Sequence, residues 1–265
     1  MTSFKFSKVL LLSSILLLNA CAIKNTPPPV VYSVPEPSLP PVPASEQERI
    51  NVRLELAKKY ITLKQFELAN KNLDEILLKQ QAAEVTHLKA ITLMGMQNYK
   101  EADVFFKKSL AKDANPDLLN NYGWFLCKQR NISGLQYLKR AEPLANAYLY
   151  PKVLANQGAC YVYAKDYAKA STLLKRSLEL LPNYTPALIY NAFIEAKQNN
   201  TIQAEASLNQ LGVSNVSDPE LLWIGINVFK ISGNAISTKL WGNYLISEFP
   251  TTKEAMRYHR NDIEE

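Results

Sequence analysis

The stretch Gly158–Pro182, GACYVYAKDYAKASTLLKRSLELLP, decides the fold. Its spaced residues Gly158, Tyr161, Ala170, Leu174 and Pro182 have counterparts along the chain. Gly158 belongs to a column of small residues: Ala57, Ala90, Gly123, Gly158, Ala192, then Ile226, at steps of 33, 33, 35, 34 and 34. A second column, Ala69, Ala102, Leu135, Ala170, Ala204 and Thr238, keeps the same steps. Two columns sharing one irregular rhythm mark an internal repeat. Four residues after the second column come Leu73, Phe106, Leu174 and Leu208, and Pro182 and Pro250 stand 68 apart, two periods. Apolar residues at a spacing near 3.6 make the segments between them helices. Thr185-Pro186, Asn115-Pro116-Asp117 and Asp218-Pro219-Glu220 each place a capping residue before proline, as at a helix start.

This pattern resembles the tetratricopeptide repeat. The expected fold is all-α, a right-handed superhelical solenoid of about six repeats. Each unit is two antiparallel helices whose small residues let the backbones approach. Larger side chains fill the gaps between units, so stacking is obligatory. The third and sixth copies depart from the pattern. Leu135 and Lys139 hold the slots of Ala and Phe in the third, with Gly134 weakening that helix. Thr238 and Gly242 hold them in the sixth.

Outward from the repeat, the chain divides into a signal peptide (1–20), a lipidated cysteine with a proline-rich spacer (21–45), the array (46–250) and a polar tail (251–265). Lys5 and Lys8, the apolar run Val9–Leu18 and Ala20 have the anatomy of a secretory signal. Leu18-Asn19-Ala20-Cys21 resembles a bacterial lipobox. That resemblance implies diacylglycerol on the Cys21 sulfur and acylation, palmitate included, of the new amine. Two or more acyl chains anchor stably. Ala22, where Asp would favour the inner membrane, implies the periplasmic face of the outer membrane. Eight of the 15 prolines lie between Pro27 and Pro43. Proline excludes helix and central strand there, so an extended spacer is expected.

Composition narrows the function. Of 265 residues, 47% are hydrophobic and only eight are glycine, which argues against phosphate-cradling loops. A net charge of +6 without a Lys/Arg stripe argues against nucleic acid. His87 and His259 are the only histidines, and neither has a partner at metal-ligand spacing. No catalytic constellation is apparent, so neither an enzyme, a cofactor nor a small-molecule substrate is expected. Cys127 and Cys160 fall on first helices of adjacent repeats. They are either a disulfide in an oxidising compartment or two separate buried thiols.

The segment LLNNYGWFLCKQ, residues 118–129, is more specific. With the lipobox, the spacer and the repeats, its Asn120, Asn121, Tyr122, Gly123, Phe125 and Leu126 resemble the type IV pilus biogenesis lipoproteins of the PilF/PilW group. The final unit also resembles their last repeat. That resemblance implies a pilotin, an outer-membrane lipoprotein that binds the pilus secretin and promotes its localisation and assembly into a ring. Carrying over the geometry of such arrays, the concave face is expected to present Leu54, Ile91, Met94, Trp124, Tyr163, Phe193 and Trp223. Asn120, Asn227, Lys128 and Lys197 would add polar contacts. An aromatic groove of this kind suits an apolar strand or helix of a partner. The competing expectation is a periplasmic scaffold for peptidoglycan-synthesis or other envelope-assembly proteins.

Overall fold

A computed structural model describes residues 45–260. The signal peptide, Cys21, the spacer up to residue 44 and residues 261–265 lie outside the described residues. Those described form thirteen α-helices and two short 3₁₀ turns, with no strand. None of these helices is long and apolar enough to cross a membrane.

Six helix pairs follow one another: α1 (Glu46–Thr62) with α2 (Phe66–Leu77), α3 (Ala83–Gly95) with α4 (Tyr99–Leu110), α5 (Pro116–Lys128) with α6 (Gly134–Ala141), α7 (Tyr150–Tyr163) with α8 (Tyr167–Leu180), α9 (Thr185–Lys197) with α10 (Thr201–Leu211), and α11 (Pro219–Ile231) with α12 (Ala235–Glu248). A last helix, α13 (Lys253–His259), packs on α11 and α12. Each first helix touches the first helix of the next unit, so these six line one continuous face.

Local chemistry starts the helices. Ser45 and Glu48 form a capping box on α1. Asn98, Asn115, Asp166, Asp218, Asn234 and Thr252 cap later helices through their side chains. At α9 the cap position falls instead on Tyr184, whose side chain makes no capping bond, and Thr185 is already helical.

The turn inside every unit is built alike. Lys64, Gln97, Arg130, Lys165, Asn199 and Gly233 all have φ between 57° and 75°. Their spacing repeats that of the two small columns. In the second unit the Asn98 amide reaches back to Leu93 and that of Gln97 to Met94, which closes a Schellman-type end on α3. Five of the six positions adopt this left-handed conformation without glycine.

The small columns form the interface between paired helices. Ala57, Ala69, Ala90, Ala102, Ala170, Ala192 and Ala204 are wholly buried. A Cβ on Gly158 would lie 2.7 Å from Leu174 Cγ, so helix spacing there is set by the missing atom. Polar side chains add the register between units. In the position preceding the small column, Lys89 reaches Asp74 and Asn70, Tyr122 donates to Asp103 (2.8 Å), and Gln157 donates to Glu142 (2.7 Å). Each bond runs back to the preceding unit, where burial makes a mispaired stack costly.

The third unit differs from the expectation. Gly134 and Leu138, not Leu135 and Lys139, face the core. The amides of Gly134, Leu135 and Gln136 bond three residues back rather than four. Such 3₁₀ winding advances ~120° per residue instead of ~100°, so the first turn rotates by more than half a residue step. Gly134 is then required rather than merely tolerated. A Cβ there would fall 2.3 Å from the Gly123 carbonyl and 2.6 Å from Cys127 Sγ. In the sixth unit the filling side chain is Trp241, seated where Gly225 lacks a Cβ, while Gly242 makes room for Tyr258 of α13.

The two open readings of the cysteines resolve to one. Cys127 of α5 and Cys160 of α7 form a buried disulfide, with Cα atoms 5.2 Å apart.

Candidate protein-binding face

The face formed by the first helices carries a polar ladder. Asn156 Nδ2 donates to Asn120 Oδ1 (2.9 Å), Asn120 Nδ2 approaches Asn121 Oδ1 (3.4 Å), and Asn121 Nδ2 donates to His87 Nε2 (3.1 Å). It joins α7, α5 and α3. Burial depresses the His87 pKa to about 4, so the imidazole is neutral at neutral pH and its Nε2 accepts. The Asn-Asn-Tyr-Gly stretch thus has a physical role at each residue. The two amides bridge first helices, Tyr122 reaches back to α4, and Gly123 admits Leu138, whose Cγ would lie 2.7 Å from a Cβ.

Farther along, an aromatic and ionic cluster spans the face. Trp124 stacks on Tyr163 at 6.1 Å between centroids and stands edge-on to Tyr190. The hydroxyls of Tyr163 and Tyr190 are 2.5 Å apart, and that of Tyr163 donates to Glu220 Oε1 (2.7 Å). Tyr163 has one hydroxyl proton, so Tyr190 donates to Tyr163 in turn. Burial, reinforced by the Glu220 carboxylate, pushes both pKa values well above the ordinary tyrosine range, and the Tyr190 phenol raises that of Tyr163 further. Lys128 Nζ pairs with Glu220 Oε2 at 3.0 Å and Asp218 Oδ2 at 3.5 Å. Burial works against the charge of Lys128, but Asp218 and Glu220 outweigh it and raise its pKa. Arg130 lies over the Tyr163 ring at 3.9 Å.

This cluster ties the third unit to the sixth across the face. Lys64, in the first unit's turn, likewise donates to the Ser217 carbonyl just before α11. The array therefore curls until distant units meet. A cleft of about 230 Å³ is bordered by Asn120, Asn121, Trp124, Lys128, Lys152, Asn156, Tyr184 and Tyr190. Another of about 250 Å³ is bordered by Arg130, Tyr163, Lys165, Tyr167, Phe193 and Ile224. Glu220 borders both.

The sequence-derived residues are thus distributed unevenly. Trp124 and Lys128 border the first cleft beside nearly buried Asn120, and Tyr163 borders the second with Phe193, over which Lys197 lies at 5.5 Å. Leu54 is partly buried against the core of the first unit, and Ile91 and Met94 against that of the second and third. Trp223 and Asn227 are corrected. Trp223 is 1% exposed and Asn227 3%. Asn227 bonds the carbonyl of Trp223 within α11, and Arg257 of α13 covers the indole at 4.6 Å. Neither side chain is presented to a groove: Arg257 of α13 covers the Trp223 indole, and the Asn227 amide turns back onto its own helix.

Several residues escaped sequence reasoning: Glu220, Asp218, Tyr190, Lys152 and Asn156. One signal was present. Glu84, Asp117, Lys152, Pro186 and Glu220 each precede the small column by six residues, at steps of 33, 35, 34 and 34. Followed as a column, they mark the first-turn position, which at Lys152, Pro186 and Glu220 borders the first cleft.

No protein-family model and no curated protein sequence matches this chain. Solved structures do. That of PilF from Pseudomonas aeruginosa is 23% identical with a TM-score of 0.56, covering 82% of this chain and 99% of its own. PilW, described as a widely conserved type IV pilus biogenesis factor, is 21% identical with a TM-score of 0.61, covering 82% and 100%. A tetratricopeptide repeat protein from Parabacteroides merdae is 13% identical with a TM-score of 0.53, covering 81% and 88%. The fold is a tetratricopeptide-repeat array.

Proposed function

We propose that this protein is a lipid-anchored assembly factor for type IV pili that acts by binding another protein, not by catalysis. The observation that carries the proposal is the extent of the likeness to PilF and PilW. It spans 82% of this chain and nearly all of each of theirs. The Asn-Asn-Tyr-Gly segment supports the reading, because its asparagines build the ladder beside the first cleft.

In this reading Cys21 carries the acyl chains, at the periplasmic face of the outer membrane. The partner is the pilus secretin, which is held until it assembles into its ring. The first cleft takes the bound segment. Trp124 supplies an aromatic wall, and Asn120, Asn121 and Asn156 supply amides for its backbone. Lys128, already paired with Glu220 and Asp218, positions that wall rather than greeting a carboxylate.

The test is the combined variant Trp124→Ala, Lys152→Glu, expressed at wild-type level. Heat-resistant secretin multimers and twitching motility should both fall sharply. Normal multimers with normal protein levels would remove the first cleft from the reading. Normal pili on deletion of the whole gene would remove the pilus role itself. Anchoring is tested separately: Cys21→Ser should abolish acyl labelling and outer-membrane fractionation while leaving the helical signal unchanged.

A further inference from the structure

One cleft lined by aromatic side chains is not on the first-helix face. It lies between α4 and α6, encloses about 660 Å³, and shares no residue with the first cleft. It arises where the third unit departs from the pattern. At eight residues, α6 is the shortest second helix of the six pairs. Its first turn is wound as 3₁₀, and only Tyr137 of the helix lines the cleft.

The chemistry of the walls is specific. Tyr99, Tyr122, Phe125 and Tyr137 stand ring against ring. Tyr122 and Tyr137 are edge-on at 4.7 Å, and Tyr99 and Phe125 are tilted at 6.4 Å. Tyr122 and Phe125 are buried and back the cleft, while Tyr99 and Tyr137 expose ring surface that can take an apolar or aromatic side chain. The charges are lopsided. The one carboxylate, Asp103, is already engaged twice, by the Tyr122 hydroxyl at 2.8 Å and by Lys107 at 2.6 Å. That leaves Lys100, for which no hydrogen bond or ion pair occurs among the described residues, as the uncompensated charge at the cleft.

We propose that the α4–α6 cleft is a second docking site, for an extended acidic segment of another protein that places an aromatic or aliphatic side chain against Tyr99 and Tyr137, the two rings the cleft exposes, and a carboxylate on Lys100. Charge complementarity selects an acidic partner over a basic one. Because α5 turns its other side to the first-helix face, the array can hold two partners at once. This site stands or falls independently of the secretin reading.

The experiment uses the full-length lipoprotein in its own cells, with p-benzoylphenylalanine at Ser133, an exposed position on the cleft rim. After irradiation, the crosslinked peptide is identified by mass spectrometry. The expected product is a net-acidic, aromatic- or aliphatic-bearing segment of a different protein. Its yield should fall about tenfold in Lys100→Glu, equivalent to ~1.4 kcal/mol, and remain normal in Trp124→Ala. Lys100 is exposed, so its replacement leaves folding intact, which an unchanged thermal melt verifies. The proposal is overturned by a crosslink to this chain's own proline-rich segment or to a second copy, by a net-basic product, by no product, or by a yield indifferent to Lys100→Glu.

Discussion

Reduction of the Cys127–Cys160 bond is the sharpest perturbation the fold offers. The bond closes a loop across a sequence separation of 33 and joins the first helices of two neighbouring units. In the chain-entropy treatment, a loop of that size restricts the unfolded chain by ~12–13 cal/mol/K, or about 4 kcal/mol at 25 °C. Native packing is little altered by reduction, because both sulfurs already lie in a closed cluster with Leu138. The loss therefore falls on the unfolded side of the equilibrium. With a urea dependence of about 2.5 kcal/mol/M for a chain of this size, the midpoint should drop by ~1.5 M. The assay is urea denaturation followed by circular dichroism, on the same preparation with and without a phosphine reductant, with thiol labelling to show that both cysteines are freed. A midpoint shift below about 0.3 M with both thiols labelled would refute the reasoning. It would mean that the stack between the third and fourth units holds the chain ends together without the bond.

Other substitutions probe the remaining contacts. Gly134→Ala should cost ~2–3 kcal/mol or prevent folding, since its Cβ meets the backbone carbonyl of Gly123 at 2.3 Å; a melt within a degree or two of wild type would show that α6 can shift freely. His87 is held neutral by burial, with a folded pKa near 4 against an ordinary 6.5. The unfolded chain therefore binds the extra proton first, and stability is lost as pH falls from ~6.5 toward 4, by up to ~3 kcal/mol. His87→Gln should flatten that limb, and parallel pH profiles for the two proteins would contradict it. Lys128→Met and Glu220→Gln should each destabilise by ~1–3 kcal/mol, with a coupling near 1 kcal/mol in the double-mutant cycle; additive losses would mean that the ion pair does not tie the third unit to the sixth. Gln97→Gly should be neutral or stabilising by up to ~1 kcal/mol, because its φ of 60° strains a residue with a Cβ; a clear loss would show that the Gln97 side chain carries a contact.

Much of this protein could be read without coordinates, for one reason. A tetratricopeptide array repeats a local rule, and the rule is written in side-chain volume. Ala57, Ala90, Gly123, Gly158 and Ala192 must be small because two helices cross there, so the period survives as a column of absent atoms. The helix starts at Asn115 and Asp218 were equally legible, because a cap is made within three residues of itself.

What the tertiary structure alone decided is everything that depends on accumulated rotation. Glu220 lies 92 residues beyond Lys128, and no pattern in the chain pairs them; the curl of the units in between does. The same curl divides the expected open groove into two clefts and brings Lys64 to Ser217. Trp223 looked like a groove aromatic until α13 packed on α11 and covered it. A tightening of one turn, invisible in composition, moved Gly134 into the slot expected of Leu135 and brought it against Cys127. Side-chain size at a crossing is a local property and stays in the sequence. The direction in which six crossings add up is a property of the whole stack, and it determines which residues face one another.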